Sequence, residues 1–304
     1  MTVAEDAPHP ELDTDAGRTL RAAANAAGLP IAGAVLVRAG ENAIYRLTGD
    51  VVARVSRTGQ EQAAAKEVAV AQWLEAGRVP AVRLVPDLDQ PILAHGRAVT
   101  FWRELPAHRH GTPREVGRAL RQLHDLAPPD GFQLGPLLPF TRLRERIDMA
   151  QWLAENDRGW LRQHLAELEA RWPELPPGLP HCVVHGDAWL GNVVATEEQA
   201  GILLDLERCS VGPPEWDLVS TAIKVGSTGT ISRTEYAEFV EAYGHDVTAW
   251  PGYELLRDIR ELRITCYGVQ QGAGRPEFRP EAQRRVDCLR GLRGPRPWGW
   301  VAIG

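Results

Sequence analysis

Residues 184–207 read VHGDAWLGNVVATEEQAGILLDLE, and the organisation of the chain follows from them. Short apolar runs at Cys182 to Val184, Asn192 to Val194 and Ile202 to Leu206 are separated by polar turns, the pattern of a β-ribbon set among helices. His185-Gly186-Asp187 follows the first run. Asn192 lies five positions beyond Asp187, and Asp205 thirteen beyond Asn192, behind the apolar stretch Gly201 to Leu204.

Upstream, 15–28 (DAGRTLRAAANAAG) reads as a helix stopped by Gly28 and Pro30. Three β-like runs follow, Ala34 to Arg38, Ala43 to Thr48 and Val51 to Ser56, the last two joined by a Thr48-Gly49-Asp50 turn. Residues 60–76 are rich in good helix formers and closed by Gly77; strands are expected at Gln90 to Ala94 and Ala98 to Arg103, turned at His95-Gly96-Arg97. From Thr112 the texture is helical. Capping boxes at Thr112 to Glu115 and Ser232 to Glu235 open helices, and Leu143, Ile147, Leu153 and then Leu161, Leu165, Leu168 keep helical spacing. PELPPGLP (173–180) is a breaker-rich connector, and arginine-rich helices are expected at 254–270 and 279–292.

Moving a phosphoryl group from a nucleotide requires a carboxylate to take or orient the acceptor hydroxyl proton, with an amide and a second carboxylate to hold magnesium on the phosphates. Asp187, Asn192 and Asp205 supply one base and two such ligands in the order H-x-D-x-x-x-x-N then D. The segment resembles the aminoglycoside phosphotransferase and choline kinase family of small-molecule kinases, whose H-G-D-x-x-x-x-N and D-[FLW]-[DEG] positions are His185-Gly186-Asp187, Asn192 and Asp205-Leu206-Glu207 here.

The resemblance implies an α+β, bilobal protein-kinase-like fold, with a small sheet-plus-helix N-lobe at 1–103, a hinge at 104–107 and a mainly helical C-lobe at 108–304. It implies Asp187 as catalytic base, Asn192 and Asp205 as Mg2+ ligands, and His185 as a brace for the loop. Glu207 would help place the metal or cap a turn. Gly40-Glu41-Asn42-Ala43 resembles the family's phosphate-covering loop. Arg54 stands where protein kinases place a lysine on the phosphates; Lys66 and Lys224, the only lysines, lie elsewhere. Glu67 would pair with Arg54, and backbone groups at Arg103 and Leu105 would meet the base of ATP or GTP. Gly212-Pro213-Pro214-Glu215-Trp216-Asp217-Leu218 resembles the family's G-x-x-x-x-D-L, which makes Asp217 a support for the catalytic loop.

For the acceptor, the family's arrangement points to Asp258, Glu261 and Arg263, with Trp298 and Trp300. Acidic residues there suit an aminoglycoside. The arginines from Arg275 to Arg296 suit a neutral or anionic acceptor, or form a solvated helix face. The implied activity is γ-phosphoryl transfer to a small-molecule hydroxyl, such as that of an antibiotic. A housekeeping kinase for choline, homoserine or a sugar would use the same residues; a nucleotide-binding pseudokinase and a metal-dependent hydrolase using His185, Asp187 and Asp205 are the other readings.

Composition narrows the classes. In 304 residues, 44% hydrophobic content can bury a core. A formal charge of -6 provides no basic field for nucleic acid. Cys182, Cys209, Cys266 and Cys288 form no C-x-x-C pair, so neither zinc nor a disulfide framework is signalled. The acidic, proline-containing start, residues 1–12, has no basic region leading into an apolar stretch, and no apolar run is long enough for a membrane span, so a cytoplasmic protein is expected.

Overall fold

The computed structural model describes residues 12–40 and 42–303; most of the acidic N-terminal stretch, and Glu41 of the expected phosphate loop, lie outside the described residues. The described chain forms two units, one of residues 12–110, 129–134 and 192–209, the other of residues 111–128, 135–191 and 210–303.

The first unit is a sheet with helices. Helix α1 (Asp15–Ala26) starts at Thr14, whose hydroxyl accepts the Gly17 N–H. Strands β1 (Val35–Ala39), β2 (Ala43–Leu47) and β3 (Val51–Val55) form an antiparallel meander, helix α2 (Glu61–Ala76) follows, and β4 (Ile92–Ala94) and β5 (Arg97–Arg103) complete a five-stranded sheet of order β1-β2-β3-β5-β4. In the three-residue β2–β3 loop, Thr48-Gly49-Asp50, Gly49 and Asp50 both have positive φ, 78° and 56°, and these left-handed residues reverse the chain between Leu47 and Val51. Because side chains alternate along a strand, Val51, Ala53 and Val55 share one face. They enter a core with Tyr45, Leu47, Val99, Phe101 and the Leu20, Ala23 and Ala24 face of α1. Arg54 is therefore on the other face, where α2 brings Glu67. Helix α2 does not end on a left-handed glycine: Gly77 stays right-handed and Arg78 takes the positive φ, 57°.

The expected ribbon is two small sheets. Strand β6 (Arg109–His110), absent from the sequence reading, pairs with β8 (Val193–Ala195), which pairs with β9 (Ile202–Leu203) in the first unit. In the second unit β7 (Cys182–Val184) pairs with β10 (Ser210–Gly212). The third apolar run is shorter as strand than expected, because Asp205 turns left-handed and Leu206–Arg208 form a 3-10 turn.

The rest of the second unit is helical: α3 (Pro113–His124), α4 (Leu143–Met149), α5 (Glu155–Arg171), α6 (Glu215–Gly226), α7 (Arg233–Tyr243), α8 (Tyr253–Gly274) and α9 (Arg279–Leu289). Both capping boxes form as read. The arginines toward the C-terminus are not simply a solvated face. Arg285 is buried, donating to Ile264 O and to the carbonyl of Val301, and Arg284 bonds the Trp298 and Gly299 carbonyls. Trp298 and Trp300, stacked at 5.1 Å, are buried by this strap. The four cysteines are free, and burial pushes the Cys182 and Cys266 thiols up to about 12, which leaves them inert. No helix among the described residues is long and apolar enough to cross a membrane.

Candidate active site

In the first unit, Arg54 of β3 is the hub. Its Nη1 donates to both oxygens of Glu67, each at 2.7 Å, and its Nη2 to Glu207 Oε2 at 2.6 Å. The carboxamide of Asn42, from the loop between β1 and β2, meets Arg54 Nε at 2.9 Å and Nη2 at 2.7 Å; both guanidinium atoms are donors, which assigns the amide oxygen to that side. Three segments far apart in sequence thus converge on one guanidinium. Burial alone would lower the Arg54 pKa, but the charges of Glu67, Glu207 and Asp205 raise it above its ordinary value. Glu67 responds the other way. Burial, reinforced by Asp205 and Glu207 and opposed by Arg54, pushes its carboxyl up to about 7.

Asp205 is held at φ 55°, a left-handed conformation that costs a non-glycine residue about 1 kcal/mol or more. The backbone next to it is fixed by β8 and β9, with Leu204 N–H donating to the Asn192 carbonyl at 2.9 Å. Gly40 lies exposed at the end of β1. The Arg103 N–H is taken by the Arg83 carbonyl at 2.8 Å, and Leu105 is half-buried beyond the end of β5.

Arg54 faces three carboxylates, Glu67, Asp205 and Glu207, so the cluster carries surplus negative charge. These carboxylates are hard oxygen donors of the kind magnesium takes. Among the described residues no group of three or more His, Cys, Asp or Glu side chains is arranged to hold a metal ion. Oxygen donors of this type fit a magnesium ion.

In the second unit, β7 delivers the chain to His185-Gly186-Asp187. Asp217, fully buried at the start of α6, takes the His185 N–H on Oδ2 at 2.7 Å and the Gly186 N–H on Oδ1 at 2.9 Å. Gly186 has φ 83°, where a side chain would be strained, so the loop can turn both amides onto one carboxylate. His185 is fully buried, and its Nδ1 accepts the Asp187 N–H at 3.3 Å. His124, from the last turn of α3, closes the other side, with Nε2 3.1 Å from Asp217 Oδ2 and Nδ1 2.9 Å from the Tyr243 hydroxyl. Burial opposes the charge on Asp217, yet the hydrogen bond and charge of His124, with His185 and Arg260, hold its carboxyl below the usual carboxylate range. Trp216 Nε1 donates to the Gly186 carbonyl at 2.9 Å.

Helix α8 carries the three residues expected at the acceptor. Asp258 accepts from Arg257 at 2.9 and 3.0 Å and lies 3.5 Å from Arg296. Glu261 is fully buried and holds Arg296 in a two-pronged pair at 2.7 Å on each side. Arg263 is buried, donating to the Pro139 carbonyl at 2.5 Å. The sequence reading missed His124 and Arg260. His124 was the polar end of an amphipathic helix and Arg260 one arginine among many, so only the residues they touch set them apart.

The family model for the phosphotransferase enzyme family matches residues 35–257. Among curated proteins none matches the chain. Solved structures do. A choline kinase of Streptococcus pneumoniae aligns with a TM-score of 0.64 at 15% identity, over 90% of this chain and 98% of that one. An amicoumacin kinase in complex with AMP-PNP and Ca2+ aligns at 0.64 and 15%, over 91% and 96%. An aminoglycoside phosphotransferase of Streptomyces rimosus aligns at 0.58 and 21%, over 80% and 97%. At these identities the likeness is one of fold.

Proposed function

The chain belongs to the phosphotransferase enzyme family, and from that premise we propose that it transfers the γ-phosphoryl group of ATP or GTP to a hydroxyl of a small molecule, as an antibiotic-inactivating kinase. The observation that carries this reading is the Arg54–Glu67 pair at 2.7 Å, with Glu207 and Asn42 on the same guanidinium. A structural ion pair has no need of a phosphate-loop residue and the D-L-E segment on one cation. A nucleotide site does.

On this reading the Asp187 carboxylate takes the acceptor hydroxyl proton while the acceptor oxygen bonds to the γ-phosphorus, the bond to the bridging oxygen breaks, and the nucleoside diphosphate leaves. Arg54 orients the phosphates, and Glu67 holds Arg54. Gly40 and Asn42 cover the phosphates, and Arg103 and Leu105 border the base. Asn192 and Asp205 would hold Mg2+, with Glu207 beside them, and the ion would balance phosphate charge. His185 and Asp217 brace the loop. Asp258, Glu261 and Arg263 shape the acceptor end of α8, Asp258 being the one with a fifth of its side chain exposed. The setting is cytoplasmic, where nucleotide is abundant.

The test is a mass-spectrometric search for phosphorylated product with Mg-ATP and Mg-GTP, against aminoglycosides, nucleoside and peptide antibiotics, choline, homoserine and sugars. Product from wild type and none from Asp187→Ala supports the reading; a choline, homoserine or sugar product alone replaces the antibiotic role with a metabolic one. No product and no nucleotide binding would overturn it.

A further inference from the structure

Arg260, whose charge helps keep Asp217 ionised, is also buried against the loop that carries Asp187. On α8 it is 5% exposed, and its Nη1 lies 3.4 Å from Asp187 Oδ1. Nη2 donates to two backbone carbonyls, Gly186 at 3.3 Å and Trp216 at 3.1 Å, and the guanidinium lies 4.2 Å from the centre of the Trp216 ring. The Gly186 carbonyl also receives the Trp216 indole N–H. One planar cation is therefore fixed by two carbonyls and an aromatic face, and from that seat it reaches the carboxylate of Asp187.

Burying a guanidinium is costly unless it is paired. Arg260 points one prong at a carboxylate whose side chain is 34% exposed. Its other contacts are to the backbone on either side of the bonds that Asp217 makes to His185 and Gly186. Those contacts hold the arginine still, and the remaining prong sets the carboxylate.

We infer that Arg260 is a positioning residue for Asp187, holding Oδ1 so that Oδ2 is presented to the acceptor hydroxyl. The inference rests on the proposed role of Asp187 as base. A base displaced by about an ångström loses on the order of 100-fold in rate, so Arg260→Met should lower kcat ~10- to 100-fold while leaving the affinity for AMP-PNP unchanged.

The experiment is a double-mutant cycle on the full chain, with Arg260→Met, Asp187→Asn and the pair together. It reads ADP formation from Mg-ATP with the compound phosphorylated in the product search, AMP-PNP binding and thermal unfolding. Arg260 acting through Asp187 predicts that Arg260→Met costs little further kcat once Asp187 is Asn. Multiplicative losses in the two backgrounds, or wild-type kcat in Arg260→Met, would overturn the inference and leave the base assignment standing. Wild-type kcat in Asp187→Asn would overturn the base assignment and the inference with it. If Arg260→Met fails to fold, Arg260→Lys takes its place in the cycle, since it keeps the charge over Trp216 but loses the fork; undiminished kcat there overturns the inference.

Discussion

Arg54 and Glu207, 153 positions apart, meet at 2.6 Å, and the same guanidinium holds Glu67. A strand residue, a helix carboxylate and the residue two beyond Asp205 thus form one electrostatic unit whose members cannot be changed independently.

The first consequence concerns Arg54. Replacing it with alanine leaves Glu67, 6% exposed, without its cation, and breaking a buried pair from one side costs about 3–5 kcal/mol. Arg54→Ala should therefore lower the urea midpoint and raise the KM for nucleotide. Arg54→Lys should recover much of the stability and less of the KM, because an ammonium lacks the fork that serves Glu67, Glu207 and Asn42 together. An unchanged KM in Arg54→Ala would remove this residue from the nucleotide site.

Glu67 predicts a pH dependence of stability. Its carboxyl lies at about 7 in the folded chain against an ordinary 4.5, so between those values the folded chain holds a proton that the unfolded chain has released. Its contribution to stability is greatest at the acidic end and declines as pH rises toward 7. Glu67→Gln should flatten unfolding free energy across that window. Glu207→Gln should lower the Glu67 pKa, since the Glu207 charge is one of the causes that raise it. Urea unfolding from pH 5 to 8 reads both, and identical slopes in all three proteins would refute the coupling.

Asp217 has the opposite sign. Its folded carboxyl lies below the ordinary 3.8, so its contribution is present above that value and is lost as pH falls through the folded pKa. Asp217→Asn keeps the shape but cannot accept the His185 and Gly186 amides and His124 with the same charge. We expect a loss of about 3 kcal/mol near neutrality and a weaker acid destabilisation than wild type, measured by denaturant unfolding at pH 3 to 7.

Asp205 should separate stability from activity. Asparagine tolerates the left-handed backbone at φ 55° nearly as well as aspartate. Asp205→Asn should leave the unfolding midpoint within a few degrees of wild type while reducing phosphoryl transfer by 100-fold or so, the scale of a lost electrostatic catalytic contact. A large fall in stability with activity retained would make Asp205 a structural residue.

Much was legible without coordinates because it is local. Helix caps, hairpin turns and strand alternation depend on neighbours a few residues away, so Thr112, Ser232, Gly49 and the β3 pattern could be read directly. The H-G-D-x-x-x-x-N and D-L-E spacings carry their chemistry in sequence order, which pointed to Asp187, Asn192 and Asp205.

Long-range pairing could not be read that way. The sequence by itself determined the order of most elements, though not strand β6 or helix α6, and the residue types the chemistry needs. The motif resemblance pointed to the Arg54–Glu67 pair and to Asp217 beneath the loop; only the tertiary structure decided that Asn42 and Glu207 join Arg54, that His124 and two loop amides share Asp217, and that Arg260 reaches Asp187. It also decided that Glu261 is spent on Arg296. The physical reason is desolvation: a charge reads alike anywhere in a sequence, and burial determines which partner it must have.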